Sequence, residues 1–486
     1  MSASEPSGHN ASEPSGHSGA SEPSGHSASK PQEAVERALA VARGETVVIA
    51  DENSTANLRW AGNTLTTNGV SATRQLTVAA VVNGCVGVVS RSGVLDDQIE
   101  DLVRAAEQAA ADGEPAEDAA QLAGPEHNGQ FFAHWDLPPA ATDISVLQGF
   151  ASSLGETMRA AKASGRTLYG FAEHEMTSTF VGTSAGFRGR HDQPAGRLEL
   201  NAKSPDMVRS AWAGVSTRDF TDVDVAGMDA SLAERLDWAK RSVSLPAGRY
   251  ETLLPPSAAS DLLIFLYWSA GAKEAAEGRT VFSKAGGGTR VGERLSDLPV
   301  TLFSDPALPG LGCAPFVIAH TSSPDRSVFD NGLPITATSW ISDGKLTALQ
   351  SSRHSASLAG LPATQTADNV SFSLPGASAS LADMIASTQR GLLLTCLWYI
   401  RPVDPQTLLL TGLTRDGVYL VENGEVTGAV NNFRFNESPV GMLGRLAEVG
   451  VAEGTLPREW SDYFTRAAMP PLRVEGFNMS SVSQAS

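Results

Sequence analysis

Apolar and polar positions alternate along this chain in two rhythms, and the rhythm changes from block to block. In KPQEAVERALAVARG, residues 30–44, Ala34, Leu39 and Val41 fall at or near one face. Pro31 suits a first helical turn and Gly44 supplies a stop, so the segment predicts a helix. From ETVVIADENSTANLRWAGNTLTTNG to RQLTVAAVVNGCVGVVSRSG the period drops to two, with breaks at Gly and Asn. That pattern predicts an antiparallel meander. Helical spacing returns in VLDDQIEDLVRAAEQAAADG and, beyond a Pro-, Ala- and Gly-rich loop near residues 113–142, in ISVLQGFASSLGETMRAAKASG. Strands are expected in TLYGFAEHEMTSTFVGTSAGFRGR and GRLELNAKS, then a helix at SLAERLDWAKRSV.

SLPAGRYETLLPPS reads as a joint between two halves. Next comes DLLIFLYWSAGAKEAAEGRTVFS, residues 261–283, which predicts a helix buried near its start and wet near its end, followed by a short strand. The rest is mostly strand-like, with hairpins expected at 328–350 and 416–430. Asn423-Gly424 and Asp343-Gly344 are two-residue turn signals. Helix, meander and hairpins in long blocks give an α+β class rather than a βαβ alternation. The expected division is a tail at 1–29, an N-terminal domain at 30–245 and a β-rich C-terminal domain at 246–486.

Composition narrows the classes. A chain of 486 residues with 41% hydrophobic and 19% charged residues fits a two-domain globular protein. No apolar run approaches the ~20 residues that span a bilayer. The balance of 54 acidic against 36 basic residues, net −18, opposes binding to a polyanion such as nucleic acid. Cys85, Cys313 and Cys396 stand isolated, as in a reducing compartment, and the first thirty residues lack an apolar signal segment. A cytoplasmic location is expected. The tail repeats SEPSGH at 4–9, 12–17 and 21–26, carrying His9, His17 and His26. Its low hydrophobicity predicts disorder, and a free chain does not preorganise metal ligands.

Candidate chemistry is sparse. GTSAG at 182–186 matches a nucleophile elbow around Ser184, but FRGRHDQPAG does not read as the helix that must follow. His174-Glu175 opens like a zinc HExxH, yet position 178 is Ser, position 179 is Thr, and the segment is strand-like. AGGGTRVG at 285–292 lacks the GK[ST] ending of a P-loop and reads as a turning loop. Outside the tail, His127, His134, His174, His191, His320 and His354 show no ligand spacing. Asp325 and Asp330 near His320 read as a solvated loop.

Taken in order, ANLRWAGNTLTTNG, VFSKAGGGTRVGERL, SVFDNGLPITATSWISDGKLTAL, SSRHSASLAGLPAT, STQRGLLLTCLWY and GVYLVENGEVTGAVNNFRFNES resemble the TldD/PmbA (TldD/TldE) peptidase family, from about residue 31 to the end. TldD-type members carry a zinc-binding HExxxH in a helix ahead of a Phe-Ser and a Val-Gly-Glu segment, with a later Cys as third ligand. Here the flanks are Val281-Phe282-Ser283 and Val291-Gly292-Glu293. Counting back from Val281 puts Leu263, Ile264 and Trp268 where His, Glu and His would stand. Residues 255–319 contain no His, and no Cys follows Cys396.

The resemblance therefore implies the TldE/PmbA branch: no catalytic residue and no metal in this chain, and zinc in a TldD-like HExxxH partner of a heterodimer. Unfolded or short peptides are the implied substrates, held in extended form along a channel between subunits. Trp268, Arg290 and Gly287 are candidates for its wall. Two other readings stand beside it: a stand-alone binding or regulatory protein, and a hydrolase using Ser184 or Cys396.

Overall fold

The computed structural model describes residues 29–483; the SEPSGH repeats lie outside them. The first half opens with α1 (Pro31–Val41), then β1 (Thr46–Ala61), β2 (Thr64–Val82) and β3 (Cys85–Ser92). After α2 (Ile99–Ala111) and α3 (Gln148–Ala163) come β4 (Thr167–Thr183), β5 (Arg188–Lys203), β6 (Ser210–Thr217) and α4 (Val225–Trp238). The six strands form one antiparallel sheet in the order β3-β2-β1-β4-β5-β6. The mixed helix-and-sheet class expected from the sequence is the one observed.

Strand periodicity decides which face of this sheet is buried. Even-numbered β1 residues, Val48, Ala50, Ala56, Leu58 and Trp60, pack with α1 to α4. The odd-numbered face behaves differently along its length. Val47 and Ile49 pack against Phe316, Val328 and Phe329 of the second half, whereas Asp51, Asn53, Thr55 and Asn57 remain only half-buried. At the other margin, β3 pairs with β2 only from Gln75 to Val82. Residues 64–73 of β2 are therefore paired on one side alone among the described residues. These ten, Thr64 to Thr73, carry no charge.

The second half contains β7 (Ser242–Val243), β8 (Gly248–Leu254), α5 (Pro256–Trp268), α6 (Ala272–Ala276), β9 (Thr301–Ser304), β10 (Thr338–Ser342), β11 (Lys345–Leu346), α7 (Arg353–Ala359) and β12 (Val370–Ser373). A ten-stranded sheet joins β7 and β8 to strands from the 390–482 region, and a six-stranded sheet runs through β11, β10, β9 and β12. Helix α5 is central, with Leu262, Leu263 and Ile264 completely buried among residues of both sheets.

Both turn signals hold. Asp343-Gly344 closes β10 onto β11, and Asn423-Gly424 joins Val418–Glu422 to Glu425–Val430, with all four residues at positive φ. Three expectations are corrected. The strand expected at Val281–Ser283 is only an isolated bridge from Ser283 to Thr289, because the Gly286–Gly288 turn reverses the chain at once. The hairpin expected from 328 starts only at Thr338; Val328–Asp330 is a 3-10 turn fixed by the Ser327 hydroxyl, which accepts from Phe329 N. Asp330 is not solvated: it is 1% exposed and accepts hydrogen bonds from Arg353 N, Arg353 Nε and Gln365 Nε2.

Candidate functional site

The half-buried odd-numbered face is the floor of a cleft. Strand register sets its residues in rows: Gln75, Asp51, Thr179 and His191 in one, Thr73, Asn53, Thr177 and Gln193 in the next. Two residues further along the strands lie Glu175 and Ala195, then Glu173 and Arg197. Loops of the second half roof this floor with Ile318, His320, Arg326, Asp368 and the segment Ser461–Arg466, enclosing about 620 Å³. An adjoining cavity of about 1010 Å³ shares His191, Gln193, Ala195, Thr465 and Arg466 with it, and its outer wall is the Pro- and Gly-rich stretch from Asp305 to Pro315.

Charge in the cleft is mostly paired across the two halves. His320 Nε2 donates to Asp51 Oδ2 at 2.7 Å, while Thr179 Oγ1 donates to Asp51 Oδ1 at 2.6 Å. Arg197 binds Glu173 at 3.0 Å, pairs with Asp462 of the second half, and lies 4.9 Å over the Phe171 ring. Arg326 pairs with Asp368 at 2.6 Å. Burial opposes the charge on Asp368, yet Arg326 and Arg466 together hold its carboxyl below the usual carboxylate range. Burial keeps His191 below the ordinary imidazole value despite its hydrogen bond to Gln193 and the nearby Asp192. His191 is therefore neutral near pH 7.

Most residues singled out from the sequence lie elsewhere. Leu263 and Ile264 are 0% exposed in the core of the second half. Trp268 is 39% exposed and meets Trp460 and Phe464 edge-on, on the segment whose Tyr463 and Thr465 line the cleft. Arg290 is held by Glu293 and by Val281 O. Gly287 sits in an exposed turn closed by Lys284 and Gly288. None of these five positions lines either cavity. Ser184 occupies the β4–β5 turn, where its Oγ accepts from Thr46 N, and β5 follows directly instead of a helix. His174 is a satisfied core histidine, bonded to Thr142 Oγ1 and Arg218 O.

The positions that the resemblance sets against HExxxH do not fit a metal. Leu263 and Ile264 offer no lone pair and no access for water, and Cys396 is buried with its thiol pushed well above the ordinary value by desolvation. Among the described residues, no three His, Cys, Asp or Glu are grouped as a metal ion would require.

The cleft's Arg326, Asp368 and Arg466 come from loops with no local motif, and His320 was legible only as a loop histidine. Asp51 and His320 are 269 positions apart. The one available signal was the alternation of β1, β4 and β5, which sets their odd-numbered residues on a face without apolar continuity.

A helix-backed antiparallel sheet that shares a polar cleft with a strand-rich second half defines the class: a two-part α+β protein. Residues 47–112 match the model of PmbA/TldA metallopeptidase domain 1, and residues 247–481 that of the PmbA/TldA metallopeptidase C-terminal domain. The chain belongs to the TldD/PmbA family. Its fold is similar to that of TldE from Thermococcus kodakarensis, with a TM-score of 0.75 at 16% identity over 92% of this chain and 99% of that one. It is also similar to a protein described as a candidate modulator of a DNA gyrase from Thermotoga maritima, with a TM-score of 0.72 at 18% identity over 92% and 99%. A third similar structure, from Bacteroides thetaiotaomicron and described in the same terms, has a TM-score of 0.71 at 16% identity over 93% and 98%. No curated protein matches the sequence.

Proposed function

We propose that this chain is a non-catalytic, TldE/PmbA-like subunit of a cytoplasmic TldD/TldE-type zinc metallopeptidase that acts on unfolded or short peptides. The observation that supports this most directly is the state of α5. Two of the three positions aligned with HExxxH, Leu263 and Ile264, are fully buried apolar core, and Trp268 packs against Trp460 and Phe464. A TldD-like partner with an intact motif supplies the zinc in this reading, and the present chain supplies substrate-holding surface. Its cleft suits that role, because rows of Asn, Thr, Gln and carboxylate side chains can bond the backbone of an extended peptide without selecting its sequence.

The test is to express the chain alone and together with a TldD-like HExxxH protein, then measure co-purification, zinc content and peptide cleavage. Cleavage and zinc are expected only when the partner is present, with one zinc per pair. Cleavage with stoichiometric zinc in this chain alone would overturn the reading. Stable peptide binding without any association would favour a stand-alone binding protein.

A further inference from the structure

The two cavities meet at Arg466. Its Nε donates to Asp368 O at 2.9 Å, and its two terminal nitrogens find no acceptor among the described residues. Of the other arginines that line the cavities, Arg197 is occupied by Glu173 and Asp462 and Arg326 by Asp368, while Arg218 lines only the larger one. Arg466 thus presents to both cavities a planar pair of donors that stabilise the Asp368 charge at a distance but have no hydrogen-bond acceptor among the described residues. Such a fork matches one carboxylate, bidentate.

Its surroundings specify what the carboxylate is attached to. Gln193 gives its amide nitrogen to Pro194 O and Gly312 O, so its carbonyl oxygen faces His191 Nε2 at 3.0 Å. That arrangement puts the imidazole proton on Nε2 and leaves Nδ1 as an acceptor for an N–H group. The wall beyond is apolar, formed by Pro306, Leu308, Leu311, Pro315, Pro334 and Ile335. Each of the three acids lining this cavity already accepts hydrogen bonds, Asp192 from Arg190 and Ser178, Asp222 from Thr217 and Asp305 from Ala307 N. Along β4 and β5 the far end of the floor is acidic, with Glu173, Glu175 and Asp462 against Arg197 alone. The acidic end favours an amino group, and at the other end the fork of Arg466 offers a carboxylate its hydrogen bonds.

We infer that the junction around Arg466, His191 and Gln193 is a carboxylate subsite that anchors the free C-terminal end of a bound peptide, with its last side chain against the apolar wall of the adjoining cavity. This inference rests on the peptide-binding reading above. It adds a direction to the bound chain and a preference for apolar C-terminal residues.

The experiment uses the purified full chain and a short N-terminally labelled peptide of Ala, Gly and Ser ending in Leu, as free acid and as amide, followed by fluorescence anisotropy. Amidation is expected to weaken binding at least about tenfold, the scale of one lost charge-assisted hydrogen bond. Arg466→Gln should lower the acid to the level of the amide and leave the amide unchanged. Equal binding of acid and amide, or equal weakening of both by Arg466→Gln, overturns the subsite while leaving peptide binding intact. Absence of binding by either peptide overturns the subsite and the peptide-binding reading together. Should Arg466→Gln fail to fold, the acid–amide comparison on the unaltered chain decides.

Discussion

His320 donates through Nε2 to Asp51 Oδ2 across 2.7 Å, and this bond ties a loop of the second half to the central strand of the first. Asp51 is well covered while His320 is 41% exposed, so solvent screens part of the attraction. His320→Ala should cost about 0.5–1 kcal/mol. Asp51→Ala also strands the Thr179 hydroxyl and should cost roughly 1–3 kcal/mol. Urea melts of both single variants and the double variant measure the coupling; additive losses would show that the bond carries no weight.

Asp261 lies at 0% exposure in α5, accepting from Glu459 N through Oδ1, with Oδ2 unpartnered. Burial pushes its carboxyl well above the ordinary value of 3.8, helped by Glu459 and opposed by the Glu459 N hydrogen bond and Arg458. The folded state therefore holds a proton that the unfolded chain gives up at lower pH. The stability this proton contributes is full below the ordinary value and is lost as pH rises toward and through the raised folded value. Asp261→Asn keeps the shape without the charge. Melts at pH 4 and pH 8 should show the variant gaining on the unaltered chain by about 1–3 kcal/mol between the two; a constant difference would contradict it.

The three thiols should separate by accessibility. Cys85 is half-exposed at the start of β3, while Cys313 and Cys396 are buried. Burial pushes the Cys313 thiol up to about 11, so at pH 8 roughly a thousandth of it is thiolate. Titration with a thiol reagent should count one fast group in the native protein and three after denaturation. Two or more fast groups would mean that the second half opens readily.

Building an HExxxH motif at the positions set against it should fail. Leu263→His with Ile264→Glu and Trp268→His places polar groups where two of the three positions have no solvent and no hydrogen-bond partner. A stability loss of roughly 4 kcal/mol or more is expected, with no rescue by zinc. A zinc-dependent rise in melting temperature would reveal a latent site.

Period-two alternation made the first sheet legible, and Asn-Gly and Asp-Gly marked two hairpins, because those signals are local. The same holds for α5, whose apolar run read as a buried helix and is one. What escaped was contact between distant segments. Nothing local marks Asp51 for His320, or Arg466 for the row that holds His191. Asp330 was misread for the same reason: its loop composition looks wet, and only Arg353 and Gln365, brought from α7 and beyond, make it dry. The short strand expected at Val281–Ser283 failed because the positive φ values of glycines 286–288 close the turn too soon for one.

The uncharged margin of β2 has a consequence for how copies of the chain tolerate one another. Strand edges are ordinarily guarded by a lysine, a proline or a bulge. Thr64 to Thr73 contains neither of the first two, and its pairing with β1 slips only at Thr66, beside the turn. Protection here is delegated to the far field, a net charge of −18 spread over the molecule. That shield reaches about 10 Å at 0.1 M salt and about 3 Å at 1 M. Ionic strength, more than anything built into the strand, sets the concentration at which these edges meet.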